Sequence, residues 1–487
     1  MRTVRSRPAG GGRFGPAAAL TLLLTLGAAP AVADTPATGA AWDMESFVRI
    51  VGPMRHSTAG RMPFMLWNLP LPLDDELVPM HRDGRLGRYI AQLAERGIVP
   101  TVNLGWRWSM TGALTMARAL QEGGRPVNIL FPDPRLLEAH IYKSSTVGIV
   151  APTGVGSGLV RRWPCFPEAD PREASEYLRQ TLRPFRDAGI DVHGVWLDDE
   201  GLPYPWNGAY FAQRLLEECR SRYPAEALAS FGAFTEWTRE FRASLFTEVL
   251  RSTREMFPKA RFGAYGDTTS GTASRFGLDA LMPALYANTR DLPAAFPAGA
   301  PSQAAVDGFY AARLLRIFSE SNARKSPGKL SIPYVSRFVP DNASPQYRLG
   351  MSQRAYRELL RHVWLRGADA LFLFNHGYPT KPQIVTHEAS FASVEDARAV
   401  YDELLAHRSF LEGGTPVSFA VPKDLSRDTL WSGLRMGDVC LVRATPPSGA
   451  AATVRVAAFD GAAGLELDVP AEGAYYLLSR DGKVQRL

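Results

Sequence analysis

The stretch AYRELLRHVWLRGADALFLF, residues 355–374, contains the unit from which the fold can be read. Tyr356, Leu359, Leu360, Val363 and Trp364 recur three or four residues apart, the spacing of one helix face. Ala370–Phe374, just after them, is an apolar run of strand length. The same alternation extends from about Arg61 to Gly413. Candidate strands are Phe64–Leu69, Val99–Leu104, Val127–Phe131, Gly194–Asp199, Arg261–Tyr265, Leu281–Tyr286, Ser331–Val335 and Ala370–Phe374. Phe234, Trp237, Phe241, Leu245 and Val249 mark another helical face between them. Strand then helix, repeated about eight times, predicts an α/β fold of the (β/α) TIM-type barrel class. No G-x-G-x-x-G follows the first strand, which disfavours a doubly wound open sheet. Pro132 to Pro167 carries Gly, Pro and Ser clusters without a clear period. It is expected to form a long excursion over one barrel face, leaving seven or eight strands.

After Gly413-Gly414 the pattern changes. Short alternating runs at Val417–Val421, Val439–Arg443, Thr453–Ala458, Leu465–Val469 and Ala474–Leu478 predict a small antiparallel β-sandwich over residues 414–487. At the other end, Arg2, Arg5, Arg7 and Arg13 precede the apolar run Ala17–Ala29, and Ala31-Val32-Ala33 supplies an A-x-A ending. This predicts a secretory signal over 1–33, a lead-in over 34–60 and a barrel over 61–413, with the mature chain secreted or periplasmic. The apolar run is shorter than the ~20 residues a membrane span needs, so no span is expected after signal removal. Loss of those four arginines takes the formal charge from +6 to +2, so the basicity gives no ground for a nucleic-acid partner. An apolar content of 46% with ten tryptophans excludes a disordered chain. Cys165, Cys219 and Cys440 lack C-x-x-C spacing and the eight histidines are dispersed, so neither a metal nor a cofactor is expected.

Barrel active sites lie at the C-terminal ends of the strands. Here those ends read Trp67-Asn68, Trp106-Arg107-Trp108, Asp198-Asp199-Glu200, Tyr265-Gly266-Asp267, Tyr286, Arg337 and Asn375-His376. Aromatic faces, amides and acids around one mouth suit a sugar ring and its hydroxyls. Side chains alternate along a strand, so Asp198 and Glu200 share one face and Asp199 points to the other. Two neighbouring carboxyls repel, so one keeps a proton near neutral pH, as a general acid requires. The plainer alternative is that the acids end a strand and cap the next helix. Trp67, Trp106, Tyr265, Asp267, Arg337 and Asn375 are candidate sugar contacts. His376 suits either a sugar hydroxyl or a structural hydrogen bond. Asn68 is placed to bond substrate or the Asp198–Glu200 pair, the second being favoured. Strands seven and eight end without an acid, leaving Asp267 and Asp291 as the near candidates for a second carboxylate. That shortage points to substrate assistance, in which a 2-acetamido oxygen of the sugar attacks the anomeric carbon.

These segments resemble the hyaluronidase family of glycoside hydrolases, with a more distant similarity to chitinases. Asp198 and Glu200 match the final D-x-E of the chitinase strand-four motif, and Trp196 stands at the earlier Asp place, as in hyaluronidases. Trp67-Asn68-Leu69-Pro70 is similar to W-N-x-P, Gly263-Ala264-Tyr265 to G-x-Y, and Leu281-Met282-Pro283-Ala284-Leu285-Tyr286 to L-x-P-S-x-Y. The resemblance implies Glu200 as proton donor, Asp198 as the group that orients the acetamide, Tyr286 as a hydrogen-bond donor to it, and Tyr265 in the sugar subsite. Where the family places a Trp near its last strand, this chain has Phe374-Asn375. The expected function is a secreted glycoside hydrolase acting on a glycan that contains 2-acetamido sugars. The alternatives are a two-carboxylate glycosidase using Asp267 or Asp291, and a non-catalytic glycan-binding barrel.

Overall fold

The structure, a computed structural model, describes residues 44–487 except 68, 105–107, 132–145, 151–159, 165–170, 198–219, 266–277, 341–343, 375–385, 424, 426, 447–448 and 462. Among the described residues, all eight candidate strands form. They are β1 (Phe64–Leu66), β2 (Ile98–Val99 and Thr101–Asn103), β3 (Val127–Phe131) and β4 (Val192–Leu197). Then follow β5 (Arg261–Ala264), β6 (Ala280–Leu281 and Ala284–Asn288), β7 (Leu330–Ser331 and Tyr334–Val339) and β8 (Leu371–Leu373). Every neighbouring pair is parallel and follows chain order, and β8 pairs with β1 through Phe64↔Leu371.

Pro100, Pro283 and Pro333 split β2, β6 and β7, because proline has no N–H to give the ladder. In β6 and β7 the neighbouring strand still uses the proline carbonyl. Tyr334 N donates to Pro283 O and Phe372 N to Pro333 O, both at 2.9 Å. These two strands therefore run on through their prolines.

Each strand buries both faces, as a parallel sheet under helices requires. One face, with Met65, Leu130, Trp196, Met282, Tyr334 and Phe372, forms a compact cluster of its own. The alternate residues, such as Phe64, Ile129, Val195, Phe262, Val335 and Leu371, belong to the core shared with the helices. The helices Met110–Glu122, Phe231–Met256, Gln303–Asn322, Gln353–Leu365 and His387–Leu404 start at Ser109, Ser230, Ser302, Ser352 and Thr386. Each cap oxygen accepts from a backbone N–H in the first turn, fixing where the loop from the preceding strand must end.

The lead-in is strapped to the last of these helices. Asp402, whose side chain is wholly buried, accepts from the backbone N–H groups of Arg55 and His56 and from Arg55 Nε. Gly52 N donates to Glu395 Oε2 at 2.9 Å.

The C-terminal region is a five-stranded antiparallel sheet, in order Thr415–Pro416, Leu430–Met436, Val439–Thr445, Ala474–Ser479 and Val484–Arg486, with a hairpin of Ala452–Val456 and Leu465–Val469 beside it. Cys440, Val442 and Ala444 face the hairpin, whereas Leu441 joins the core shared with the helices, together with Leu430 and Leu434. The expected strand Val417–Val421 does not form, and a two-residue strand, Thr415–Pro416, stands just before it. Beyond Val417, whose N–H reaches Gly433 O, the carbonyls of Ala420 and Pro422 are taken by Arg366 and Arg316 instead of a neighbouring strand.

Candidate functional site

Four aromatic side chains line up at the C-terminal ends of β5, β6, β8 and β1. Tyr265 and Tyr286 stack with centroids 5.9 Å apart, Tyr286 and Phe374 stack at 4.8 Å, and Phe374 meets Trp67 edge-on at 5.7 Å. The backbone ladder sets their level. Tyr265 N donates to Leu197 O, Trp67 N to Leu373 O, and Phe374 N to Val335 O. All four rings are half-buried, while Tyr334 and Phe372, stacked at 4.4 Å just below, are buried. An arc of half-exposed rings on a buried aromatic base offers broad apolar faces to a ligand and costs little side-chain entropy.

Trp196 of β4 lies in the same inward cluster, with its indole N–H donating to Asn128 Oδ1 at 3.2 Å. Two glycines make room for it. A Cβ on Gly194 would lie 2.7 Å from Trp196 Cζ2, and one on Gly263 would lie 2.8 Å from Trp196 Cε3 and 2.5 Å from Met282 Sδ. The glycine of the G-x-Y segment is thus a packing requirement of the neighbouring tryptophan. Trp196 faces inward and Leu197 outward. This is the phase on which the reading of Asp198 and Glu200 as one face depends.

Trp67, Tyr265 and Tyr286 are therefore brought together. Asp198, Glu200, Asn68, Trp106, Asp267, Asn375 and His376 lie outside the described residues, as does Asp199. One expectation is corrected. Arg337 does not join the arc. The ladder slips just after Ser336, and the side chain of Arg337 turns to the helix side. There its Nε donates to Met351 O at 2.8 Å, and Nη1 lies 3.7 Å from the buried Asp396. Arg357 holds the same carboxylate at 2.7 Å. Asp291, considered as an opposing carboxylate, sits in a single turn after β6 and pairs with Arg313 of the helix Gln303–Asn322.

The sequence reading missed Phe374 as the ring that joins Tyr286 to Trp67, and Tyr334 as part of the base. The period of two was available for both, since Phe372 and Phe374 share a face, as do Tyr334 and Ser336. Among the described residues, no group of His, Cys, Asp and Glu is arranged to hold a metal ion, and no helix is long and apolar enough to cross a membrane.

No protein-family profile matches the chain, and no curated protein matches it by sequence. Among solved structures it is similar to an Anoxybacillus alpha-amylase, with 10% identity, a TM-score of 0.46, and coverage of 87% of this chain and 99% of that one. The native Nostoc punctiforme debranching enzyme gives 12% identity and a TM-score of 0.44, again over 87% and 99%. Alpha-L-fucosidase isoenzyme 2 from Paenibacillus thiaminolyticus gives 11% and 0.40 over 74% of this chain. The chain spans about half the length of that fucosidase, 51%. These three are an amylase, a debranching enzyme and a fucosidase, and not the hyaluronidases that the sequence motifs resemble.

Proposed function

We propose that the eight strand pairings close a (β/α) barrel, and that the chain is a glycoside hydrolase working at the C-terminal ends of those strands. The reading rests on one observation above all, the arc Tyr265–Tyr286–Phe374–Trp67. It stands at strand ends on the side toward which β4 carries the Asp198-Asp199-Glu200 segment in the sequence. Pyranose C–H faces pack on such rings, and carboxyl groups across from them do the acid–base work.

In this proposal Glu200 is the general acid and base. Asp198 orients a 2-acetamido group whose oxygen attacks the anomeric carbon, with Tyr286 as hydrogen-bond donor at the acetamide. The chain is further proposed to be exported, with Asp34 as its new N-terminus.

The test is reducing-end release from hyaluronan, chondroitin, chitin and peptidoglycan strands, each beside its de-N-acetylated counterpart. Cleavage confined to acetylated polymers, and abolished by Glu200→Gln and by Asp198→Asn, is the expected result. Equal cleavage without acetyl groups would overturn substrate assistance. Binding without cleavage throughout the panel would overturn the hydrolase.

A further inference from the structure

The joint between the helix layer and the C-terminal sheet holds a buried chain of hydrogen bonds whose proton order can be assigned. Arg366, wholly buried just after the helix Gln353–Leu365, donates from Nε to Ser432 Oγ at 2.8 Å and from Nη1 to Ser319 Oγ at 2.6 Å. Its Nη2 reaches the carbonyls of Ala420 and Trp431. Arginine only donates, so Ser432 Oγ accepts from it and turns its own O–H elsewhere. His362 Nδ1 is 2.9 Å from that hydroxyl. On the other side of the ring, Nε2 is 2.9 Å from Thr445 Oγ1, which itself bonds closely to Glu358 Oε1. Glu358 is held as a carboxylate by Arg443, at 2.8 and 2.9 Å, so the threonine O–H points at Glu358 and its oxygen accepts from the histidine.

We propose that this relay, Arg366 to Ser432 to His362 to Thr445 to Glu358, fixes His362 as the neutral tautomer protonated on Nε2, and that the joint is an acid-opened latch. A proton added at Nδ1 removes the acceptor of the Ser432 O–H and turns a second donor toward that hydroxyl. It also places a second cation beside that guanidinium, in a site sealed from water. The neighbours do not compensate. Glu358, with Oε1 3.4 Å from His362 Nε2, is already committed to Arg443 and Arg361. From the sheet, Arg443 and Tyr475 face the site. From the helix His387–Leu404, Glu403 is bonded to Arg361, and His407 lies beyond against Tyr475.

Burial pushes the His362 imidazole down from 6.5 to about 4, with Glu358 only partly offsetting it. The unfolded chain therefore binds this proton first as the pH falls, and the latch loses stability between those two values.

Histidine-selective 15N NMR on the full chain reads the tautomer directly. The expected His362 signal is neutral with the proton on Nε2, persisting below pH 6, and a proton on Nδ1 would overturn the relay. Opening is followed by limited proteolysis within residues 414–429 as the pH is lowered. His362→Gln is expected to move the cleavage midpoint down by half a pH unit or more, whereas His193→Gln, at an exposed imidazole in β4 away from the joint, leaves it near wild type. Thr445→Val, which keeps the imidazole but breaks the relay, is expected to move the midpoint up. An unchanged midpoint in both relay variants would overturn the latch, and the tautomer measurement stands even if a variant fails to fold.

Discussion

Replacing Gly263 by alanine pits two effects of opposite sign against each other. Gly263 lies in extended strand backbone and has no positive φ, so alanine meets no backbone penalty there. Were that all, the substitution would stabilise the protein by about 0.4–1 kcal/mol through the unfolded chain's lost freedom. The structure gives the opposite sign. The new methyl would stand 2.5 Å from Met282 Sδ and 2.8 Å from Trp196 Cε3, where ordinary contact begins at 3.4 Å. Neither neighbour yields cheaply. The methionine is buried in the inward cluster, and the indole is held by Asn128 and backed by Gly194. Overpacking of this kind costs about 1–3 kcal/mol. For a chain of this length that corresponds to roughly 1–3 °C in melting temperature, from the usual unfolding entropy per residue.

Thermal unfolding by circular dichroism provides the assay, with Gly308→Ala as the control. Gly308 lies within the helix Gln303–Asn322, and nothing stands within 4 Å of its Cβ position. Alanine there is expected to stabilise by about 0.5–1 kcal/mol. A melting temperature that rises in both variants would refute the packing argument, and with it the account of why β5 carries a glycine beside Trp196.

Other expectations follow from the same geometry. Arg337→Ala is expected to leave kcat on any cleaved glycan within about twofold, because the side chain bonds Met351 and Asp396 on the helix side. It should destabilise the fold by about 1–3 kcal/mol, since it strips a hydrogen-bonded partner from near a buried carboxylate. Tyr286→Ala and Trp67→Ala should each weaken glycan binding by about 0.5–1.5 kcal/mol in titration calorimetry, the value of one aromatic face. Burial works against the charge of Asp402, but hydrogen bonds from Arg55 and His56 outweigh it and hold the carboxyl down to about 2. Its stabilisation is present above the ordinary value of 3.8 and is lost as the pH falls toward 2. Asp402→Asn should lower stability near neutral pH and flatten the acid limb of an unfolding curve between pH 4 and 2.

Much of this architecture was legible in the sequence, because parallel strands buried on both faces appear as plain apolar runs. Val127–Phe131 was delimited to the residue, and the reading of Leu281–Tyr286 as one run survived Pro283 because the proline carbonyl still serves the next strand. What was not legible depended on direction and on distant partners. Arg337 stands at a strand end in the sequence, and only its contacts with Met351 and the buried Asp396 turn it to the helix side. Val417–Val421 has the alternation of a strand, but two arginines from elsewhere in the chain take the carbonyls of Ala420 within it and Pro422 just after it. In the sequence alone Phe374 stands only as a departure from a tryptophan. Its place between Tyr286 and Trp67 requires knowing that β8 lies beside β1.

That last adjacency also constrains the order in which the molecule can be made. Phe64 needs Leu371 as its ladder partner, and the segment around Arg55 needs Asp402. A chain emerging from its N-terminus therefore carries its first strand unpaired on one side until nearly four hundred residues have been synthesised. Contacts this far apart in sequence are slow to close and leave apolar strand edges open to other chains in the meantime. The first strand of this protein cannot be completed before Leu371 has been made, so its open edge is the part of the young polypeptide most exposed to pairing with other chains.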